Sequence, residues 1–194
     1  LLHGNEDTGW LAARQLLREY ANQPLPRSLS LFIGNVEAAR QHQRLLDGQP
    51  DYNRIWSNAT VRQGTAERQM ARQVVEEMRR RAVFACLDIH NNTGLNPHYA
   101  CVRRLDHGFL HLATLFGRTV VHFTIPDGVL IQPFSDLCPS VTVECGQPGQ
   151  IYGVEHGFDY LRACLHLAEI PSHPVAEHDI NLFHTVAIVK VPRD

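Results

Sequence analysis

Strand-like and helix-like segments alternate along the chain, which predicts an α/β fold: three layers, α/β/α, around a mixed, largely parallel sheet. Three observations carry this. The length of 194 residues suits one globular domain. The runs AVFACLDIH (82–90) and SVTVECG (140–146) read as strands, the first almost continuously apolar, as in a sheet covered on both faces. Segments around them place apolar residues at helical spacing instead.

Taken in order, residues 8–21 predict a helix. Asp7 or Thr8 can cap it, and Trp10, Leu11, Leu16, Leu17 and Tyr20 make a mostly one-sided stripe. Pro24 and Pro26 end it. SLSLFIGN (28–35) is a short apolar run with a Gly-Asn stop, which predicts a buried strand, and Val36 to Leu46 a second, short helix. Residues 47–65 are polar and broken by Gly48, Pro50 and Gly64, so they read as loop. Residues 65–82 predict a long amphipathic helix capped by Thr65, with basic residues in the last turns where the helix dipole favours them. After strand 82–90 comes an irregular stretch with Gly94 and Pro97, then a helix around Phe109–Phe116. Strands at 119–125 and 140–146, a helix over Val154–Ala168 and a last strand over Phe183–Val191 complete the alternation.

Composition narrows the function. A net charge of −2 gives no electrostatic footprint for nucleic acid or a membrane surface. No apolar run approaches the roughly twenty residues that span a bilayer, and no signal-peptide pattern is present. Five cysteines, an odd number with no C-x-x-C pair, fit structural thiols in a reducing, cytoplasmic setting. Twelve histidines favour metal binding while also making accidental motifs common.

Four groups of residues could do chemistry. His3-Gly4-Asn5-Glu6 places imidazole and carboxylate three apart, a spacing that lets both reach one zinc ion; it also fits a polar turn that holds nothing. A second copy, His166 and Glu169, lies in an amphipathic helix and reads as structural. Asp88 and His90 close a buried strand, and the strand period puts them on one face. His90 could be a third ligand with Asp88 orienting it, or the strand could simply end in polar residues. Glu144 ends another apolar strand, where a carboxylate is either a general base beside an activated water or a solvent-facing terminus. Asn53 and Arg54 could grip a substrate carboxylate and Arg44 could face a developing oxyanion, although each is also a commonplace surface residue. His3, His90 and Glu144 all fall at or just past the carboxyl ends of apolar runs, the edge where α/β sheets bind ligands.

In sequence order, HGNE (3–6), Gly34-Asn35 with Ala38 and Arg44, NRIW (53–56), DIHNNTG (88–94) and VECGQPG (143–149) resemble the succinylglutamate desuccinylase/aspartoacylase family, zinc hydrolases related to the metallocarboxypeptidases. The resemblance runs from the third residue to about residue 150. It implies a zinc-carboxypeptidase-like fold and one zinc per chain held by His3, Glu6 and His90. It further implies Glu144 as general base for the metal-activated water, Arg44 polarising the scissile carbonyl, and Asn53 with Arg54 fixing a substrate carboxylate. The implied substrate is a small N-acyl amino acid or similar amide, with no nucleic-acid or membrane partner. A metallocarboxypeptidase acting on peptides, or a non-catalytic metal-binding protein of the same fold, would use the same residues. Phe134 stands where aspartoacylases carry an arginine ten residues before the catalytic glutamate, so aspartyl specificity is not expected. The expected organisation is one catalytic domain over residues 1–194, with Leu1-Leu2 the stump of a truncated first strand and the family's C-terminal β-rich domain absent.

Overall fold

The computed structural model describes residues 1–57, 64–187 and 189. Five strands form one sheet: β1 (Cys86–His90), β2 (Tyr99–Val102), β3 (Thr119–His122), β4 (Ser140–Glu144) and β5 (Asn181–His184). Their spatial order is β1-β4-β2-β3-β5. The β1/β4, β2/β3 and β3/β5 pairs are parallel, and β2 runs antiparallel to β4. The sheet is therefore mixed and mostly parallel, as the alternation of elements predicts.

Helices cover both faces. On one lie α1 (Thr8–Glu19), α4 (His107–Phe116) and α6 (Ile151–His166); on the other lie α3 (Ala66–Arg79) and the short α5 (Ile131–Phe134). Strand alternation divides the side chains between them. Leu87, Ile89, Val141, Val143, Ala100 and Val102 pack toward α1, α4 and α6. Fully burying the three valines among them stabilises the fold by roughly 1.5–3 kcal/mol each. Cys86 instead meets Ile55, Trp56, Ile131 and Phe134 on the α3/α5 side. The odd–even rule then places Asp88, His90, Thr142 and Glu144 on that second face.

Several boundaries follow the sequence closely. Thr65 caps α3 by accepting from the Arg68 amide. Asn35 caps α2 (Val36–Arg40), accepting from the Ala38 amide at 3.2 Å; the helix stops at Arg40, well short of Leu46. Asp7 occupies the N-cap position of α1 but makes no side-chain cap bond.

The predicted strand over 28–35 does not form. The segment has no strand partner among the described residues, and its apolar residues split, with Leu31 and Ile33 exposed while Phe32 packs on Trp56. β-propensity organises a chain only where a neighbouring ladder exists. The α1 stripe is also narrower than predicted: Ala12, Ala13 and Leu16 are buried while Leu17 is 42% exposed. Small residues let α1 approach α6, and a Cβ at Gly157 would stand 3.5 Å from that of Ala12. β5 covers residues 181–184; residues 185–187 and 189 of the predicted 183–191 strand are not in a strand, and 188, 190 and 191 lie outside the described residues. Strand β2 and helix α5 were not predicted; each is only four residues long.

Candidate active site

Four separate segments converge at the carboxyl ends of β1 and β4. His90 and Glu144 are the final residues of these strands and register partners across the parallel pair. His3 and Glu6 arrive on the turn before α1. This turn can sit here because position 4 is glycine: a Cβ there would fall 2.3 Å from the backbone of Ala38 and Ala39. The Gly4 amide donates to the Arg44 carbonyl at 3.2 Å, tying the turn to the segment that follows α2. Asn35 and Arg44 thus act together around this turn: one caps α2, whose backbone the turn packs against, and one closes over the cluster.

His3, Glu6 and His90 each offer a ligand atom, and these atoms lie within 4.8 Å of one another, all on buried residues. The Nδ1 atoms of His3 and His90 stand 2.8 Å from Glu6 Oε1 and Oε2 respectively. The outer nitrogens are committed elsewhere. His3 Nε2 donates to Asp51 Oδ1 at 2.9 Å, and His90 Nε2 stands 3.0 Å from Asp88 Oδ1. Thr142 Oγ1 donates in turn to Asp88 Oδ2 at 3.3 Å.

Each ring has a carboxylate beside both of its nitrogens, so its tautomer depends on which of them holds the proton. A neutral ring that donates from Nε2 turns its Nδ1 lone pair inward, toward an anionic carboxylate. Such an arrangement repels itself unless a proton or a cation sits in the middle. His3 Nδ1 is buried with no hydrogen-bond partner despite its closeness to Glu6. Burial opposes a charge on either ring, yet the surrounding carboxylates prevail: Asp51 and Glu6 raise His3, and Asp88 and Glu6 raise His90 well above the usual imidazole range. Burial likewise works against the Glu6 carboxylate, but the two histidines hold it far below its ordinary range. The donor set fits a divalent cation: two imidazole nitrogens and a carboxylate inside, two carboxylates outside.

Glu144 lies one strand away. Its Oε2 is buried without a hydrogen-bond partner. Burial raises its pKa; the nearby His90 opposes this, while Glu6 and Asp88 add to it. Arg44 reaches the cluster from outside, Nη1 donating to Glu6 Oε1 at 2.9 Å and Nη2 to Asp51 Oδ2 at 3.3 Å. Asn53 is buried beside His90, with Nδ2 3.4 Å from His90 Nε2, and its Oδ1 accepts from the Leu130 amide at 2.9 Å. Arg54 follows, half-buried, its Nη1 donating to the Asn53 carbonyl at 2.6 Å. Phe134 is buried against Trp56 in the α3/α5 core. His166, in the second His-x-x-Glu, hydrogen-bonds the Tyr20 hydroxyl at 2.7 Å.

Two residues of the site carried no role in the sequence reading. Asp51 orients His3 and also accepts from the Asn53 amide at 2.8 Å. Asn91 donates its amide to Glu6 Oε2 and its side chain to the Gly146 carbonyl, linking the ligand turn to the turn after Glu144. Both stand next to or near residues already singled out, so only their contacts distinguish them from ordinary polar loop residues.

Fold and site together define an α/β domain with a buried two-histidine, one-carboxylate cluster at the carboxyl edge of its sheet. The chain belongs to the succinylglutamate desuccinylase/aspartoacylase family, a family of amide-bond hydrolases: the model of its catalytic domain matches residues 2–152. Comparison with curated proteins gave no match. Among solved structures, the chain resembles the succinylglutamate desuccinylase from Chromobacterium violaceum (TM-score 0.75, 21% identity, 97% of this chain and 68% of that one). It also resembles the product-bound ectoine utilization protein from Ruegeria pomeroyi (TM-score 0.67, 15% identity, 95% and 59%) and murine aminoacylase 3 (TM-score 0.59, 18% identity, 83% and 60%). At these identities the likeness establishes the fold. The chain spans between 59% and 68% of these three proteins. Among the described residues, no helix is long and apolar enough to cross a membrane.

Proposed function

We propose that the chain is a zinc-dependent hydrolase that cleaves the amide bond of an N-acyl amino acid, with its catalytic machinery between His3 and Glu144. The observation that carries this reading is the cluster of His3, Glu6 and His90 ligand atoms, with the carboxyl group of Glu144 one strand away. His3 and His90 would hold the metal through Nδ1 and Glu6 through its carboxylate. When bound, zinc supplies a Lewis acid that polarises a carbonyl and acidifies a water molecule.

The remaining steps belong to side chains. Asp51 and Asp88 keep the Nε2 protons in place, so both rings present Nδ1 inward. Glu144 takes a proton from the water as its oxygen adds to the amide carbon. It then gives that proton to the nitrogen as the C–N bond breaks, leaving a carboxylic acid and a free amino group. Burial raises its basicity, which suits proton transfer near neutral pH. Arg44, beside Glu6 and Asp51, stabilises charge developing on the carbonyl oxygen. Asn53 and Arg54 hold a substrate carboxylate, the guanidinium by its planar fork. The five free thiols support a reducing, cytoplasmic setting.

Metal analysis of the purified protein, paired with a hydrolysis screen over N-succinyl, N-acetyl and N-formyl amino acids, tests this reading. About one zinc per chain and release of a free amine are expected. A protein that takes up no divalent metal on reconstitution and hydrolyses none of these amides refutes it.

A further inference from the structure

Glu144 has a neighbour on each side. On β1 its register partner is His90; on β2 its register partner is Tyr99. Residues directly opposite in adjacent strands point to the same face of a sheet. His90, Glu144 and Tyr99 therefore form a row across one face, about 5 Å from strand to strand. Alternation along β2 agrees: Ala100 and Val102 are buried against α4, so Tyr99 and Cys101 face the other way, toward the site. Asn53 lies at the opposite end of the row, against His90 on the edge strand β1.

The Tyr99 hydroxyl is uncommitted. It makes no hydrogen bond among the described residues, and Glu144, the nearest carboxylate across the ladder, keeps Oε2 without a partner. Burial and then the Glu144 charge push the phenol well up, so it stays a proton donor throughout the neutral range. A partly buried donor on the strand beside Glu144 is a group that a ligand's acceptor would meet.

We infer that Tyr99 is a specificity-determining residue that donates a hydrogen bond to an acceptor on the acyl half of the substrate. This rests on the proposed amide hydrolysis. The scissile bond must lie over Glu144, within proton-transfer reach. With the amino-acid carboxylate held at Asn53 and Arg54, the acyl chain extends past Glu144 to Tyr99. One strand spacing is about the reach of a four-carbon acyl group, so the favoured class is an acyl chain with a terminal carboxylate or similar acceptor.

The test compares N-succinyl and N-butyryl forms of one amino acid, which share four acyl carbons and differ in the terminal carboxylate. Tyr99→Phe should lower kcat/KM for the succinyl compound roughly tenfold, through KM, and leave the butyryl compound and the zinc content unchanged. A second readout does not need turnover: calorimetric binding of both compounds to Glu144→Gln, with and without Tyr99→Phe. The same selective loss, roughly tenfold for the succinyl compound alone, is expected there. Equal losses for both compounds, no loss for either, or no binding of either overturns the inference. Selective, Tyr99-dependent binding by a protein that hydrolyses neither compound would sustain the acyl site and refute the hydrolase reading.

Discussion

His90 and Glu144 end two adjacent parallel strands in exact register, so an imidazole and a carboxyl group share one edge of one sheet face. The two differ in their surroundings. His90 is held between Asp88 and Glu6, whereas Glu144 keeps a buried oxygen with no partner. Their substitutions should therefore separate metal binding from proton transfer. Glu144→Gln preserves shape, so it should retain zinc and lose roughly 10²–10⁴-fold in turnover. His90→Ala should lose zinc and activity together. Metal analysis beside steady-state kinetics checks both; equal zinc loss in the two variants would dissolve the distinction.

Asp51 and Asp88 touch the outer nitrogens of the two histidines, 2.9 and 3.0 Å away. Asp51→Asn or Asp88→Asn removes the charge that holds the Nε2 proton, with little change in shape. Each should weaken metal affinity about 10–100-fold, measured by competition with a chelating dye. Because Asp51 also holds Arg44 and the Asn53 amide, Asp51→Asn should raise KM as well, while Asp88→Asn should not. Unchanged metal affinity in both variants would remove these carboxylates from any orienting role.

Gly4 offers a test of the turn itself. An added methyl would meet the backbone of Ala38 and Ala39 at 2.3 Å, and backbone cannot move aside as a flexible side chain can. Gly4→Ala should cost about 1–3 kcal/mol of stability and displace His3 and Glu6. Gly117→Ala is the control: its backbone is extended and nothing lies within 4 Å of the added carbon, so any effect should stay within about 0.5 kcal/mol. Denaturation curves for the two variants, read beside zinc content, decide it. A Gly4→Ala protein as stable as the Gly117→Ala one would show that the turn relaxes freely.

The site was legible in the sequence where chemistry and position coincided. His90 and Glu144 closed recognisable strands, and the HGNE turn carried its own spacing. The strands that frame them were legible because β1 and β4 are five residues of strongly patterned chain. The four-residue β2 was not, since Tyr99–Val102 follows a Gly/Pro-broken stretch and is fixed by pairing with β3 and β4 rather than by its own pattern. The run at 28–35 misled for the converse reason: its apolar pattern is strand-like, but no ladder partner stands beside it among the described residues. Asp51 and Asn91 escaped because a residue that orients another is defined by a contact across 48 or 85 positions, which no local pattern reveals.

The five cysteines yield a prediction that does not involve the metal. All are free, and burial raises every thiol. Cys145 and Cys164 are pushed up to about 12, Cys145 helped by the charge of Glu144 and Cys164 despite Tyr160 and Arg27. In the unfolded chain these groups titrate near 8.5. Between about pH 8.5 and 12 the unfolded state therefore binds fewer protons than the native state, and linkage makes stability fall as pH rises through that window. Below it the contribution is fully present. Urea midpoints should be flat from pH 7 to 8 and decline toward pH 10, and Cys145→Ala or Cys164→Ala should each flatten part of that decline. Native protein at pH 8 should leave both thiols unmodified by a disulfide reagent, while denatured protein exposes all five. Rapid labelling of Cys145 or Cys164 in the native state would show that the core between β4 and α6 is open to solvent, and with it the turn that follows Glu144.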